Sequence, residues 1–258
     1  MSNDQPKMEI AGFLLKRNGQ TDFVLVMFFV ILVLNVTSLR HKSFTTDEPF
    51  HFEYGLKILL TDSDRFDDSK MPVSALNALV VLGELDADDP NMNLDAGKIQ
   101  RARLVTVFCS LVLALLIYCW ARKLYGLCGA MLSLTTYAFA PNILAHSRLN
   151  TTDLYAALSL TLVLYTFWRF RAKENLKWGS ACALSLGFAQ IAKFSSVFLF
   201  PILGAVVLIQ NWKALHHSYA EKYWPAAGQM VVRFAAWASV FVGATIHLPN
   251  NLTHPSRS

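Results

Sequence analysis

Seven apolar segments recur along the 258 residues of this chain, and clusters of lysine and arginine fall beside every second gap between them. That alternation limits the fold more than any other feature. The segments run roughly Phe23–Leu39, Leu104–Trp120, Gly126–Ala145, Leu154–Trp168, Trp178–Ala192, Phe194–Ile209 and Phe234–Leu248. Crossing a bilayer as a helix takes about 20 residues, and about 17 suffice when flanking side chains reach the interface. Trp178–Ala192 and Phe194–Ile209 are separated only by Lys193, and Ser195, Ser196 and Pro201 favour a hairpin there over one long broken helix.

Composition agrees with a membrane chain. Apolar residues make up 54% and charged residues 16%, against about a quarter charged in soluble domains. The expected fold class is all-α: a polytopic transmembrane helix bundle with a long first external loop that carries two interfacial amphipathic helices. The net charge of +5 is spread between apolar runs, so it reads as loop charge and not as a nucleic-acid surface. The first apolar run lacks a small-residue cleavage site and reads as a retained span. Cys109, Cys119, Cys128 and Cys182 all lie in apolar runs without metal-ligand spacing, so buried free thiols are expected.

Orientation follows from the basic residues. Lys7, Lys16 and Arg17 precede the first segment, Arg122 and Lys123 follow the second, Arg169, Arg171, Lys173 and Lys177 follow the fourth, and Lys213, Lys222 and Arg233 precede the seventh. Alternating spans put all of these on the cytoplasmic side. The expected division is a cytoplasmic N-terminus (1–22), a first transmembrane helix (23–39), an external loop (40–103), six further transmembrane segments (104–248) and an external tail (249–258).

The external loop is too long for a simple turn. Thr45 or Thr46 can cap a helix with Asp47 and Glu48 in its first turn, and Phe52, Leu56, Leu59 and Leu60 recur at helical spacing behind them. An Asp-rich stretch follows, and Pro72 opens a second apolar stretch through Leu82. Both helices can lie on the membrane surface. Two readings of the adjacent carboxylates stand side by side. They are first-turn charges that favour the helix N-terminus, or they are groups with chemistry to perform just outside the first span.

The motifs in and after this loop resemble those of the bacterial glycosyltransferase C superfamily, close to the protein O-mannosyltransferases and lipid A aminoarabinose transferases. The resemblance rests on Thr46-Asp47-Glu48-Pro49 with His51 and Gly55, on Lys70-Met71-Pro72, and on Tyr125-Gly126. It continues through Ala140-Pro141-Asn142-Ile143-Leu144-Ala145-His146, Thr151-Thr152-Asp153 and Ala192-Lys193-Phe194-Ser195. It implies transfer of a sugar from a polyprenyl-phosphate donor to a protein or glycolipid acceptor, on the external face of a bacterial inner membrane. Asp47 is then the candidate base for the acceptor hydroxyl, and Glu48 supports it or helps hold a divalent cation beside Asp47. Asp153 matches the second acidic position. Lys70 falls where relatives place a cation on the lipid phosphate, although here Met71-Pro72-Val73 replaces the double proline that is frequent there.

The chemistry suits these residues. A polyprenyl phosphate is a good leaving group, so cations for its growing charge matter more than a strong acid; Lys70, Arg148 and Lys193 lie on the external side. One base then suffices, and a single displacement inverts the anomeric centre. With Asp153 and His51, these cations are the substrate-binding candidates. Arg148 also reads as an ion-pair partner of Asp153, Lys193 as a residue reaching the interface from a turn, and His51 as a structural hydrogen bond. Membrane lipid is the expected surrounding and nucleic acid is not a partner. Relatives are longer, so the family's C-terminal region is expected to be missing, which leaves a non-catalytic fragment, or a subunit acting with a partner, as the alternative. A small-solute transporter with Asp153 and Lys193 along its path is the further rival, but no inverted repeat supports it.

Overall fold

The computed structural model of the chain describes residues 19–41, 45–60, 70–84 and 96–212. The expected cytoplasmic N-terminus up to residue 18, the polar stretches 61–69 and 85–95, the segment Phe234–Leu248 and the tail lie outside the described residues. Among the described residues every regular element is helical. They fall into two compact units, the first holding residues 19–41, 45–60 and Ser74–Leu154, the second holding Lys70–Val73 and the residues from Tyr155 onward.

In the first unit, α1 spans Gly19–His41. Ile31, Asn35 and Leu39 are buried one turn apart, while Leu25, Val26, Phe29, Leu32, Val33 and Leu34 are exposed. A helix that is apolar all round but buries only one narrow stripe is built for lipid on its other faces. Gly19–Leu39 and Gly97–Phe139 are long and apolar enough to cross a membrane.

The second of these lies in α4, Ala96–Phe139. At 43 residues a straight helix would reach about 65 Å, twice the hydrocarbon thickness. It is not straight. Gly126 has φ +72° and ψ −163°, a backbone state open only to glycine. The Tyr137 hydroxyl donates to the Ser110 carbonyl at 2.9 Å and lies 2.8 Å from Ser110 Oγ. In one continuous helix those residues would be about 40 Å apart, so arms 96–125 and 127–139 fold back on each other. Ala114, Ala121, Ala130 and Ala138 are buried along the arms, and such small side chains let helices approach closely.

The stretch between α1 and α4 supplies α2, Asp47–Leu59, and α3, Ala75–Ala78, the latter between 3-10 turns Pro72–Ser74 and Leu79–Glu84. The stripe that periodicity assigns to the membrane surface is taken up by protein. Phe52 and Leu56 of α2 form one buried cluster with Ala78, Val81, Ile99 and Ala102. Periodicity reveals an apolar face but not what covers it. Phe50, Leu60, Leu79, Val80 and Leu82 remain exposed on these elements. Gly55 is where α2 meets the next segment, since a Cβ there would lie 2.5 Å from the Ser74 carbonyl oxygen. The short helix α5, Pro141–His146, follows α4.

In the second unit, α6 (Asp153–Lys173, of which Asp153 and Leu154 belong to the first unit), α7 (Leu176–Ala192) and α8 (Leu199–Gln210) share a core of Val163, Phe167, Cys182, Leu186, Ala189, Leu199 and Leu203. Asn175 caps α7 by accepting from Trp178 N at 3.1 Å. Arg171 Nε donates to Gln210 Oε1 at 3.1 Å, which brings the end of α8 back beside the end of α6. The chain therefore turns at Lys193, whose extended backbone separates α7 from the 3-10 turn Phe194–Phe198. Arg169 stacks on Trp178, its guanidinium carbon 4.6 Å from the ring centroid. All four cysteines are free, but only Cys182 is buried; Cys119 and Cys128 are exposed on α4, which corrects the expectation of buried thiols.

Candidate functional site

Asp47 and Glu48 are neighbours in sequence, and a helix turns them about 100° apart. Their environments differ completely. Glu48 is fully buried and Asp47 is exposed, with no side-chain partner among the described residues. Both Glu48 oxygens are taken. Oε1 accepts from Arg103 Nε at 2.7 Å and from Asn150 N at 3.0 Å. Oε2 accepts from Arg103 Nη2 at 2.6 Å, from Thr45 N at 2.9 Å and from Thr45 Oγ1 at 3.2 Å. Thr45 thus serves the helix start through Glu48, while Thr46, the residue before the first turn, makes no side-chain cap.

Burial pushes the Glu48 carboxyl up, but the hydrogen bonds from Arg103, Thr45 and Asn150 and the charge of Arg103 outweigh it and hold the group below its ordinary value. Arg103 is itself buried. The fork of its guanidinium on a carboxylate is the strongest geometry available to such a pair.

The loop from Ser147 to Asn150 is tied to the same anchor. Asn77 Nδ2 lies 2.7 Å from Asn150 Oδ1, 2.8 Å from Thr106 Oγ1 and 2.9 Å from the Ala102 carbonyl, so its two protons are shared among three acceptors. Ser147 donates to Asn35 and Arg148 to Ser38, both on α1. Arg148 therefore does not pair with Asp153, as the sequence allowed. Asp153 Oδ2 instead meets His146 Nδ1 at 3.3 Å. Burial, and then the neighbouring Arg103 charge, pull the Arg148 guanidinium below its usual value, but it stays cationic. Glu48 neutralises Arg103, whereas Arg148 makes no ion pair among the described residues.

His51 Nδ1 lies 3.3 Å from Ser74 Oγ, the structural hydrogen bond expected for it. Asp47, Glu48, His51, Arg148 and Asp153 belong to the first unit, while Lys70 and Lys193 belong to the second. Among the described residues no three His, Cys, Asp or Glu side chains gather where they could hold a metal ion. With five donors on its two oxygens, Glu48 is not disposed to share a divalent cation with Asp47.

Residues 92–239, more than half of the chain, match the protein family described as dolichyl-phosphate-mannose-protein mannosyltransferase. The chain belongs to that family. It is accordingly a membrane glycosyltransferase of the glycosyltransferase C type, with the helical architecture and apolar helices that such a protein requires. No curated protein and no solved structure matches it. The stretch matched to the mannosyltransferase family takes in Arg103, His146, Arg148, Asn150, Asp153 and Lys193; Asp47, Glu48, His51 and Lys70 lie ahead of it.

Sequence reasoning missed Arg103, Asn77 and Asn150. One signal was present for the first. Arg103 stands immediately before the apolar run at Leu104, and a carboxylate that folding buries needs a cation of this kind. The asparagines carried no signal, because their role depends on contacts between segments far apart in sequence.

Proposed function

We propose that this mannosyltransferase-family chain moves a sugar from a polyprenyl-phosphate donor to an acceptor hydroxyl on the external face of a bacterial inner membrane, with its N-terminus cytoplasmic. The family description supports mannose as the sugar and a protein as the acceptor. Asp47 takes the proton of the acceptor hydroxyl. The freed oxygen attacks the anomeric carbon as the bond from that carbon to the phosphate oxygen breaks. The electron pair leaves with the phosphate, whose charge Arg148 meets. A single displacement inverts the anomeric centre.

The observation that carries this reading is the split between neighbours. One carboxylate is locked by five donors, and its neighbour is exposed with no partner among the described residues. Glu48 with Arg103 is then the anchor, and Asp47 is the group that the anchor presents. A base held in place before substrate arrives has its ordering cost already met.

The test is transfer from a labelled polyprenyl-phosphate sugar by purified protein in lipid nanodiscs. Asp47→Asn should lower kcat by at least about a hundredfold, the usual contribution of a general base. Since Asp47 is exposed, thermal stability should not change. Full transfer by the variant would remove Asp47 as the base, and solute uptake into vesicles without any transfer would favour the transporter.

A further inference from the structure

The loop between α5 and α6 holds most of its polar side chains against the protein. Ser147 and Arg148 reach α1, and Asn150 Oδ1 accepts from Asn77 while its backbone N–H joins the Glu48 anchor. His146 and Asp153, at the two ends of the loop, turn to each other instead. Nδ1 of His146 is 3.3 Å from Oδ2 of Asp153, and the two side chains are 46% and 41% exposed. An ionised carboxylate can only accept, so the ring proton sits on Nδ1. In the neutral imidazole Nε2 then carries a lone pair on the opposite side of the ring, and it has no partner among the described residues. Asp153 thus fixes both the tautomer and the ring orientation of an outward acceptor. A second group in the same loop also lacks a partner: Thr151 Oγ1 is buried and makes no hydrogen bond among the described residues. Buried hydroxyls are normally satisfied, so an unsatisfied one in the same loop as an oriented acceptor points to a polar ligand.

The class of that ligand follows from Arg148, two residues along the loop. With the donor phosphate at Arg148, as proposed above, the sugar joined to it is delivered to this same loop. We propose that His146, oriented by Asp153, is a recognition subsite for a hydroxyl of the transferred sugar, with Thr151 as a second hydrogen-bonding group. The inference rests on the donor reading above and adds a sugar-contacting residue to it. In this subsite the hydroxyl donates to Nε2, and no covalent bond to His146 forms or breaks.

A brace across the loop would use the same Nδ1 contact, so the variants must separate brace from subsite. His146→Asn keeps a side-chain N–H near the position of Nδ1 and removes Nε2. His146→Gln keeps a polar atom near the position of Nε2 and gives up the Nδ1 contact. Binding of dolichyl phosphate mannose and of dolichyl phosphate would be titrated on the full chain in nanodiscs, alongside thermal unfolding. The wild type should prefer the mannosylated lipid. His146→Asn should bind it about two- to tenfold more weakly, as expected for one lost hydrogen bond, while dolichyl phosphate binding and the unfolding midpoint stay unchanged. His146→Gln should retain part of the preference while unfolding earlier.

Equal binding of the mannosylated lipid by His146→Asn and the wild type would overturn the subsite. So would a loss confined to the KM for a peptide acceptor, which would assign His146 to the acceptor. Binding needs no turnover, so the subsite is tested even in a protein that does not transfer. A wild type that binds neither lipid would refute the donor reading and the subsite with it.

Discussion

Arg103 grips Glu48 across 55 residues of sequence, Nε on one carboxylate oxygen at 2.7 Å and Nη2 on the other at 2.6 Å. Neither side chain is more than 1% exposed. Taking one such ion from water costs several kcal/mol, and only close pairing with further hydrogen bonds offsets it. Thr45 and Asn150 supply those bonds. The pair acts as one unit that joins α2 to α4, and its loss should be felt as a unit.

Glu48→Met leaves Arg103 buried without a counter-charge and should cost about 3–5 kcal/mol of stability. Arg103→Met should cost a similar amount. The double variant Glu48→Met with Arg103→Met should recover much of the loss, because two apolar side chains leave no unpaired ion. Thermal unfolding of the four proteins measures the coupling. Simple additivity would show that the pair is not a unit.

Acid should weaken the same joint. The folded Glu48 carboxyl is held below its ordinary value, so its contribution to stability is fully present above the unfolded glutamate pKa of about 4.3. That contribution is lost as pH falls through the lower folded value. Unfolding midpoints measured from neutral pH downward should therefore drop below about pH 4.3 in the wild type. The drop should be smaller in Glu48→Gln, whose side chain does not titrate.

Gly55→Ala should be destabilising by about 1–3 kcal/mol, the usual cost of overpacking, because its Cβ would sit 2.5 Å from the Ser74 carbonyl oxygen and 2.9 Å from the carbonyl carbon. Backbone cannot swing aside as a side chain can. Gly204→Ala in α8 is the matched control, since its Cβ would meet nothing within 4 Å. Thermal unfolding should show the first variant weakened and the second neutral or better, as alanine favours helix.

Gly126→Ala tests the fold-back in α4. The added methyl meets nothing within 4 Å, so its effect comes from the backbone alone, at φ +72°. A cost of about 1–3 kcal/mol is expected for a side chain forced into that region. Cross-linking of cysteines placed at positions 110 and 137 should become less efficient as the arms lose their register. Undiminished cross-linking would show that the bend does not depend on glycine.

Local pattern made several of these features readable and left others hidden. The apolar run Phe23–Leu39 lies inside α1, helical spacing from Phe52 to Leu59 lies inside α2, and the polar break at Lys193 is a real interruption. Each of these depends on residues within a turn or two of one another. The division of labour between Asp47 and Glu48 was not readable. Which of two adjacent carboxylates is buried depends on where Arg103 and Asn150 arrive, and no spacing around position 48 encodes that. The same limit explains why the stripe of α2 reads as membrane-facing. Phe52 and Leu56 are apolar in sequence whether lipid or Ile99 and Ala102 cover them.

Asn150 N completes the Glu48 anchor from 102 residues downstream. During synthesis Asp47 and Glu48 therefore leave the ribosome long before the groups that hold Glu48 exist. Arg103 must follow, and then the loop to Asn150, before α2 has a fixed seat. Contacts of such long sequence separation are slow to close, because the chain between them must first be ordered. The presenting helix is thus assembled by a late arrival, and a nascent chain halted before Asn150 carries Asp47 without the anchor that aims it.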